Sequence, residues 1–223
     1  MKGLVWATIV VATLAVGGCD QKQTADKAAA PDKAAVTSTA NAAETPRSPL
    51  KEAAIAEWPI DHVVGKPDAP ITVVEYSSLS CPHCADFHIK TFPQFKTEWL
   101  DTGKAKLIFR DFPLNPPAEA AAMVAQCAGD RYFTFIDVFF RSQDTWLGTS
   151  DMSGAIKNIA KLGGIGAAQV DQCWNDKALM DQINARKQEG ADKFGVDSTP
   201  SFLIHGKIHS GALSYDELVK LLN

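Results

Sequence analysis

The tetrad Cys81-Pro82-His83-Cys84 constrains this chain more than any other feature, because of what stands on either side of it. Ile71-Thr72-Val73-Val74-Glu75-Tyr76 precedes it, β-branched and nearly continuous in apolar character, the pattern of a central strand buried on both faces. After Ser77-Ser78-Leu79-Ser80 the apolar spacing lengthens to that of a helix, with Cys84, Phe87 or His88, Thr91, Phe95 and Trp99 three or four residues apart on one face. Ser80 is the expected N-cap, and Pro82 suits a first turn, where its missing N–H has no partner to lose. Pro93 should kink this helix and Gly103 end it. Lys106-Leu107-Ile108-Phe109-Arg110-Asp111-Phe112 then reads as a second central strand, giving a strand-helix-strand unit with two cysteines at the front of the helix.

A thiol in that place has a chemical consequence. The start of a helix presents unpaired N–H groups and the positive end of the helix dipole, so the Cys81 pKa should fall, and His83 adds a further term favouring the anion. Cys84, one turn inward, can attack a mixed disulfide formed at Cys81, which makes Cys81 the nucleophile and Cys84 the resolving thiol. Whatever stabilises the thiolate stabilises the reduced pair, so the disulfide form becomes the stronger oxidant. Glu75 has two readings: a buried carboxyl that relays protons to Cys84, or a solvent-facing strand end with no role. Other chemistries fit poorly. A c-type haem site needs His directly after the second cysteine, where Ala85 stands. Zinc on Cys81, Cys84 and His88 lacks a fourth ligand, so no metal is expected. A two-residue loop is also a poor place for a purely structural disulfide.

The first residues read as an address. Met1-Lys2 and the apolar run Leu4 to Val16 lead to Gly17-Gly18-Cys19, and the run is shorter than the roughly 20 residues that cross a bilayer. A cleaved signal over residues 1–18 implies export to an oxidising compartment. Val16-Gly17-Gly18-Cys19 resembles a bacterial lipobox with Cys19 as the lipidated residue; an ordinary signal peptide cleaved nearby is the other reading. Residues 19–57, rich in Ala, Lys, Asp, Thr and Pro, read as a flexible tether to the membrane. Of five cysteines, lipidation of Cys19 would leave two pairs. A net charge of -4 offers no broad cationic surface, so a nucleic-acid partner is not expected.

Residues 58–223 read as one composite domain. Asp61 to Gly65 suggests an edge strand. From Pro117 to Phe194 only helical signals occur, over Ala118–Ala128, Tyr132–Ser142, Met152–Leu162 and Gln169–Phe194, the last divided near Asn175. Ser201–Ile204, a turn at His205-Gly206, Lys207–His209 and a helix Tyr215–Leu222 begun by Ser214 finish the chain. His62, His205 and His209 read as surface histidines. Phe133, Phe135, Phe139 and Phe140 should include core residues, with any remainder bordering an apolar surface beside Cys81.

Val73-Val74-Glu75-Tyr76, Cys81-Pro82-His83-Cys84 and Val196-Asp197-Ser198-Thr199-Pro200-Ser201-Phe202 together resemble the DsbA-type branch of the thioredoxin superfamily, and the likeness covers Trp58 to Asn223. The resemblance implies an α/β, thioredoxin-like fold with a helical insertion domain, the core being 58–116 and 195–223 and the insertion 117–194. It implies a cis peptide at Thr199-Pro200 facing the active-site sulfurs, a strand-like edge there for the substrate chain, and no cofactor. Reduced or unfolded exported proteins would be the substrates of this thiol:disulfide oxidoreductase, a DsbB-like membrane oxidase its partner, and a monomer its working form at the periplasmic or outer face of the cytoplasmic membrane. Thr199 instead resembles the residue found in isomerases, so an isomerase or reductase kept reduced by a membrane donor stands as the alternative, although no folded dimerisation module precedes Trp58. Cys127 and Cys173 resemble the extra disulfide of some alphaproteobacterial relatives; two buried free thiols are the other reading. A reading of another class is an exported chaperone or binding module whose cysteines are incidental.

Overall fold

A computed structural model describes Ile55 and residues 57–223. Cys19, the segment 1–18 and the 19–57 stretch apart from Ile55 and Glu57 lie outside the described residues. The described chain forms five strands and nine α-helices in the order β1 (His62–Gly65), β2 (Ile71–Ser77), α1 (Pro82–Asp86), α2 (Phe92–Phe95), β3 (Ala105–Asp111), α3 (Pro116–Cys127), α4 (Tyr132–Arg141), α5 (Gln143–Leu147), α6 (Met152–Leu162), α7 (Ala167–Trp174), α8 (Lys177–Glu189), β4 (Ser201–Ile204), β5 (Lys207–Ser210) and α9 (Tyr215–Leu222). Among the described residues, no helix is long and apolar enough to cross a membrane.

The sheet runs β1-β3-β2-β4-β5. β2 and β3 are parallel, with Val73 opposite Leu107 and Glu75 opposite Phe109; the other pairs are antiparallel. Since successive residues of a strand face opposite ways, β2 sends Val73, Glu75 and Ser77 to one face and Val74 and Tyr76 to the other. Val73 packs with Phe87, Phe95, Leu100, Leu218 and Leu222 under α1, α2 and α9. Val74 and Tyr76 pack with Ile108, Phe194, Val196 and Leu203. Both faces are therefore covered, as the unbroken apolar run of β2 requires.

The helical run from Pro82 to Leu100 is not uniform. α1 passes into a π turn at Phe87–Thr91, α2 follows, and a second π turn spans Lys96–Leu100. The disturbance expected at Pro93 takes the form of a change of pitch in the turn before it, where the i to i−4 pattern gives way to the i to i−5 bond from the Phe92 N–H to Phe87 O. Gly103, at φ +80°, then reverses the chain into β3.

Between β3 and β4 the chain is helical. α3, α4, α6 and α7 follow the apolar stripes of the sequence, whereas α5 had no such stripe: in five residues only Trp146 is buried. A disulfide joins Cys127, at the end of α3, to Cys173 in α7. The core of this region includes Ala121, Phe135, Ile136, Phe139, Trp146 and Ile156, and continues without a break into Cys81 and Cys84. α9 begins with a capping box in which Ser214 and Glu217 each bond the other's backbone N–H.

One polar cluster lies inside. Asp61 accepts from Arg110 Nη2 at 2.9 Å and from Arg186 Nη1 at 3.1 Å, Arg186 Nη2 donates to Asp111 Oδ2 at 2.9 Å, and Tyr132 Oη donates to Asp111. Both arginines are fully buried. Buried charges persist when each is paired, and here the pairing ties the segment before β1 to β3, α4 and α8.

Candidate active site

β2 ends at Ser77, whose carbonyl accepts the Phe112 N–H at 2.7 Å, and a tight turn closes with the Cys81 N–H on Ser78 O at 3.0 Å. The cap that follows is Cys81 itself, in an extended conformation with φ −87° and ψ 121°; Ser80 does not fill that place. The Ser80 hydroxyl lies 3.2 Å from Ser78 Oγ and accepts from Asn115 Nδ2 at 3.0 Å. In an ordinary cap a side-chain oxygen accepts the N–H groups two and three residues on. The Cys81 sulfur stands at that position without closing a cap hydrogen bond, and the nearby N–H groups of Cys84 and His83 are the smallest of the influences that lower its pKa.

The two thiols are driven apart in acidity. Cys81 is pulled down to about 5, first by the hydrogen bond from the Cys84 thiol, then by Thr199 and last by the backbone N–H groups of Cys84 and His83, with burial opposing them. Cys84, which has no exposed surface, is pushed well above its ordinary value by burial and by the neighbouring Cys81 sulfur; the Ser78 N–H, 3.4 Å from its sulfur, opposes this weakly. Cys81 is also buried but retains 6% exposure. The protonated Sγ donates to Thr199 O at 3.1 Å.

Thr199 belongs to a loop that brings the second sequence motif to the first. Gly195, at φ +72°, ends the helical region, the Val196 N–H returns to Gly190 O at 3.0 Å, and the Thr199-Pro200 peptide is cis. Ser201 Oγ donates to Ser198 O at 2.8 Å, and the Gly211 N–H donates to Pro200 O at 2.8 Å. The Thr199 hydroxyl is buried with no hydrogen-bond partner. Residues 118 apart in sequence therefore share one surface point at Cys81.

Residues 57–223 match the family described as Thioredoxin. Among solved structures, α-DsbA1 of Wolbachia pipientis is 34% identical, with a TM-score of 0.69 over 75% of this chain and 92% of that one. A protein-disulfide isomerase of Novosphingobium aromaticivorans is 27% identical, with a TM-score of 0.64 over 73% of this chain and 97% of that one. The chain belongs to the DsbA-like branch of the thioredoxin superfamily. A Rickettsia felis protein provisionally named as a protein-disulfide oxidoreductase is 31% identical over 71% of this chain and 57% of its own length, so the chain spans less than two-thirds of that relative.

In this DsbA-like chain Glu75 is an interior residue of β2, bonded into the sheet on both sides and without exposed surface. Neither carboxyl oxygen has a partner, and burial pushes its pKa up to about 8. It shares the helix-covered face with Ser77, whose hydroxyl is also buried without a partner. His83 is exposed on the first turn. His88 is turned into the interface with α4, its Nε2 3.4 Å from Asp137 and its ring stacked on Phe92 at 4.9 Å; burial is the main cause that lowers its pKa to about 4. His62 is not a plain surface histidine: its ring stacks on Tyr132 at 3.5 Å and its Nε2 lies 2.9 Å from Gln126 Oε1. His205 is exposed and His209 half-buried. Phe135, Phe139 and Phe140 are buried, and Phe133 is partly so.

Two groups of residues were invisible to pattern reading. The Asp61, Arg110, Asp111 and Arg186 cluster had one signal, the adjacent charges Arg110-Asp111 inside an otherwise apolar strand, which a buried position can hold only if paired. Gln143, which contacts the backbone at Cys81, had none.

Proposed function

We propose that this chain is an exported thiol:disulfide oxidoreductase that donates the Cys81–Cys84 disulfide to reduced proteins. The observation that carries the reading is the unequal acidity of the two thiols, Cys81 low and slightly exposed, Cys84 high and enclosed. A substrate thiolate attacks the Cys81 sulfur, the Cys81–Cys84 bond breaks, and its electron pair leaves on Cys84, which takes up a proton. A second substrate thiolate then attacks the substrate sulfur of the mixed disulfide. Cys81 departs as a thiolate, and the two electrons remain on the dithiol. Because the departing anion is the stabilised one, transfer runs toward substrate oxidation.

Glu75, a buried carboxyl on the same face as the helix that carries Cys84, holds the proton that Cys84 gains and later loses. The Thr199-Pro200 loop offers backbone to the substrate chain beside Cys81. A DsbB-like membrane oxidase restores the disulfide, and a lipid on Cys19 holds the monomer at the outer face of the cytoplasmic membrane, in reach of that partner. The Cys127–Cys173 bridge is structural.

The test is the equilibrium of the dithiol with glutathione. A reduction potential above roughly −200 mV is expected; a value near the roughly −270 mV of thioredoxin would overturn donation in favour of reduction. Thr199, the residue before the cis proline, favours a second reading as an isomerase kept reduced by a membrane donor, and trapping of thiols in cells separates the two: a mostly reduced pair supports isomerisation. If Cys81→Ala keeps full disulfide-forming activity in a strain lacking its oxidase, the fold acts as a binding module instead.

A further inference from the structure

α5 is a five-residue helix with one anchor. The Trp146 indole is fully buried, donates from Nε1 to Phe139 O at 2.9 Å and meets the Phe139 ring edge-on at 5.6 Å. From this fixed base Gln143, the first residue of the helix, reaches the turn before α1: its Nε2 donates to Leu79 O at 2.7 Å and to Cys81 O at 3.0 Å. Both partners are carbonyls, which only accept, so the nitrogen of the amide must be the atom facing them, and both of its N–H groups are used. Cys81 O also accepts the Ala85 N–H at 3.2 Å, the first helical bond of α1. One carboxamide thus holds the peptides on either side of Ser80-Cys81, where the chain changes from extended to helical.

We propose that Gln143 is a positioning residue of the Cys81 centre: by holding the Leu79 and Cys81 carbonyls it fixes the extended conformation of Cys81 at the start of α1, and with it the place of the Cys81 sulfur relative to the first helical turn and the Cys84 thiol. The inference rests on Cys81 being the nucleophile. Without the two donors Leu79 O loses a bond at a half-buried position, the peptide planes flanking Cys81 turn more freely, and the sulfur and its donors separate for part of the time. The fold keeps its core, because burial in α5 is supplied by Trp146.

The experiment uses the full reduced chain and two variants without donors, Gln143→Leu and Gln143→Met, with Gln143→Lys restoring a donor. Alkylation of Cys81 by iodoacetamide, thiolate absorbance against pH, and urea unfolding are measured on each. Loss of a hydrogen bond of ordinary strength predicts alkylation about threefold slower at about pH 5 in the Leu and Met variants, a titration displaced to higher pH, and recovery of most of the rate with Lys. Wild-type rates and titration in both donor-free variants would overturn the proposal. So would slowing by the same factor at every pH together with a lowered unfolding midpoint, the mark of a merely structural role. If the unchanged chain itself forms no thiolate below neutral pH, the nucleophile reading fails first, a result distinct from either.

Discussion

Glu75 gives the sharpest quantitative test, because its carboxyl is fully buried and has no hydrogen-bond partner to share its charge. Its pKa stands at about 8 in the folded chain against 4.5 for an ordinary glutamate. An acid whose pKa rises on folding binds its proton more tightly in the native state. Its contribution to stability is then complete below the unfolded value and is lost as pH rises toward the folded one. At about 1.4 kcal/mol for each pH unit, the full loss is about 5 kcal/mol, most of which falls between pH 5 and pH 8. Glu75→Gln removes the titration and leaves an amide that is also buried without a partner, a constant penalty of about 1–3 kcal/mol that does not depend on pH. Urea unfolding of the reduced wild type and the variant across this range should therefore give two curves that diverge, the variant gaining about 3–4 kcal/mol relative to the wild type by pH 8. Curves that stay parallel to within about 0.5 kcal/mol would refute the buried, unpartnered carboxyl and with it the proton-holding role proposed for it.

Other substitutions probe separate parts of the structure. Replacing Cys127 and Cys173 together by Ala opens a loop with a sequence separation of 46 and should lower stability by about 4 kcal/mol in non-reducing urea titrations, with little effect if the bridge does not form in solution. Asp61→Ala leaves Arg110 and Arg186 short of a buried counter-charge and should lower stability by about 3–5 kcal/mol, read from the thermal midpoint at neutral pH. Alkylation of the reduced wild type should reach half its maximal rate at about pH 5 and disappear at neutral pH in Cys81→Ser, since Cys84 is both enclosed and shifted upward; a midpoint near the ordinary cysteine value would contradict the cap geometry.

The sequence alone determined most of what depends on neighbours along the chain. The apolar run of β2, the helical spacing after Cys81, the cap at Ser214 and the turn at His205-Gly206 are local patterns, and local physics sets them. The roles proposed for Cys81 and Cys84 rest on the same kind of local pattern, two thiols three residues apart at a helix start. What the sequence could not settle was everything that needs two distant segments to meet. Ser80 is the expected cap by residue type, and only the turn closed on Ser78 O moves the start of the helix to Cys81. Glu75 had two readings until pairing on both sides made it an interior residue. α5 carries no amphipathic stripe, so neither that helix nor the reach of Gln143 across 62 residues to Cys81 O could be foreseen. The same holds for the salt-bridged arginines, which sit in the interior because Asp61 and Asp111 arrive from other elements. At Cys81 the sequence set the chemical type and the place at the front of a helix, while the acidity of its sulfur was decided by the fold, which brought the Cys84 thiol and the Thr199 loop to one atom.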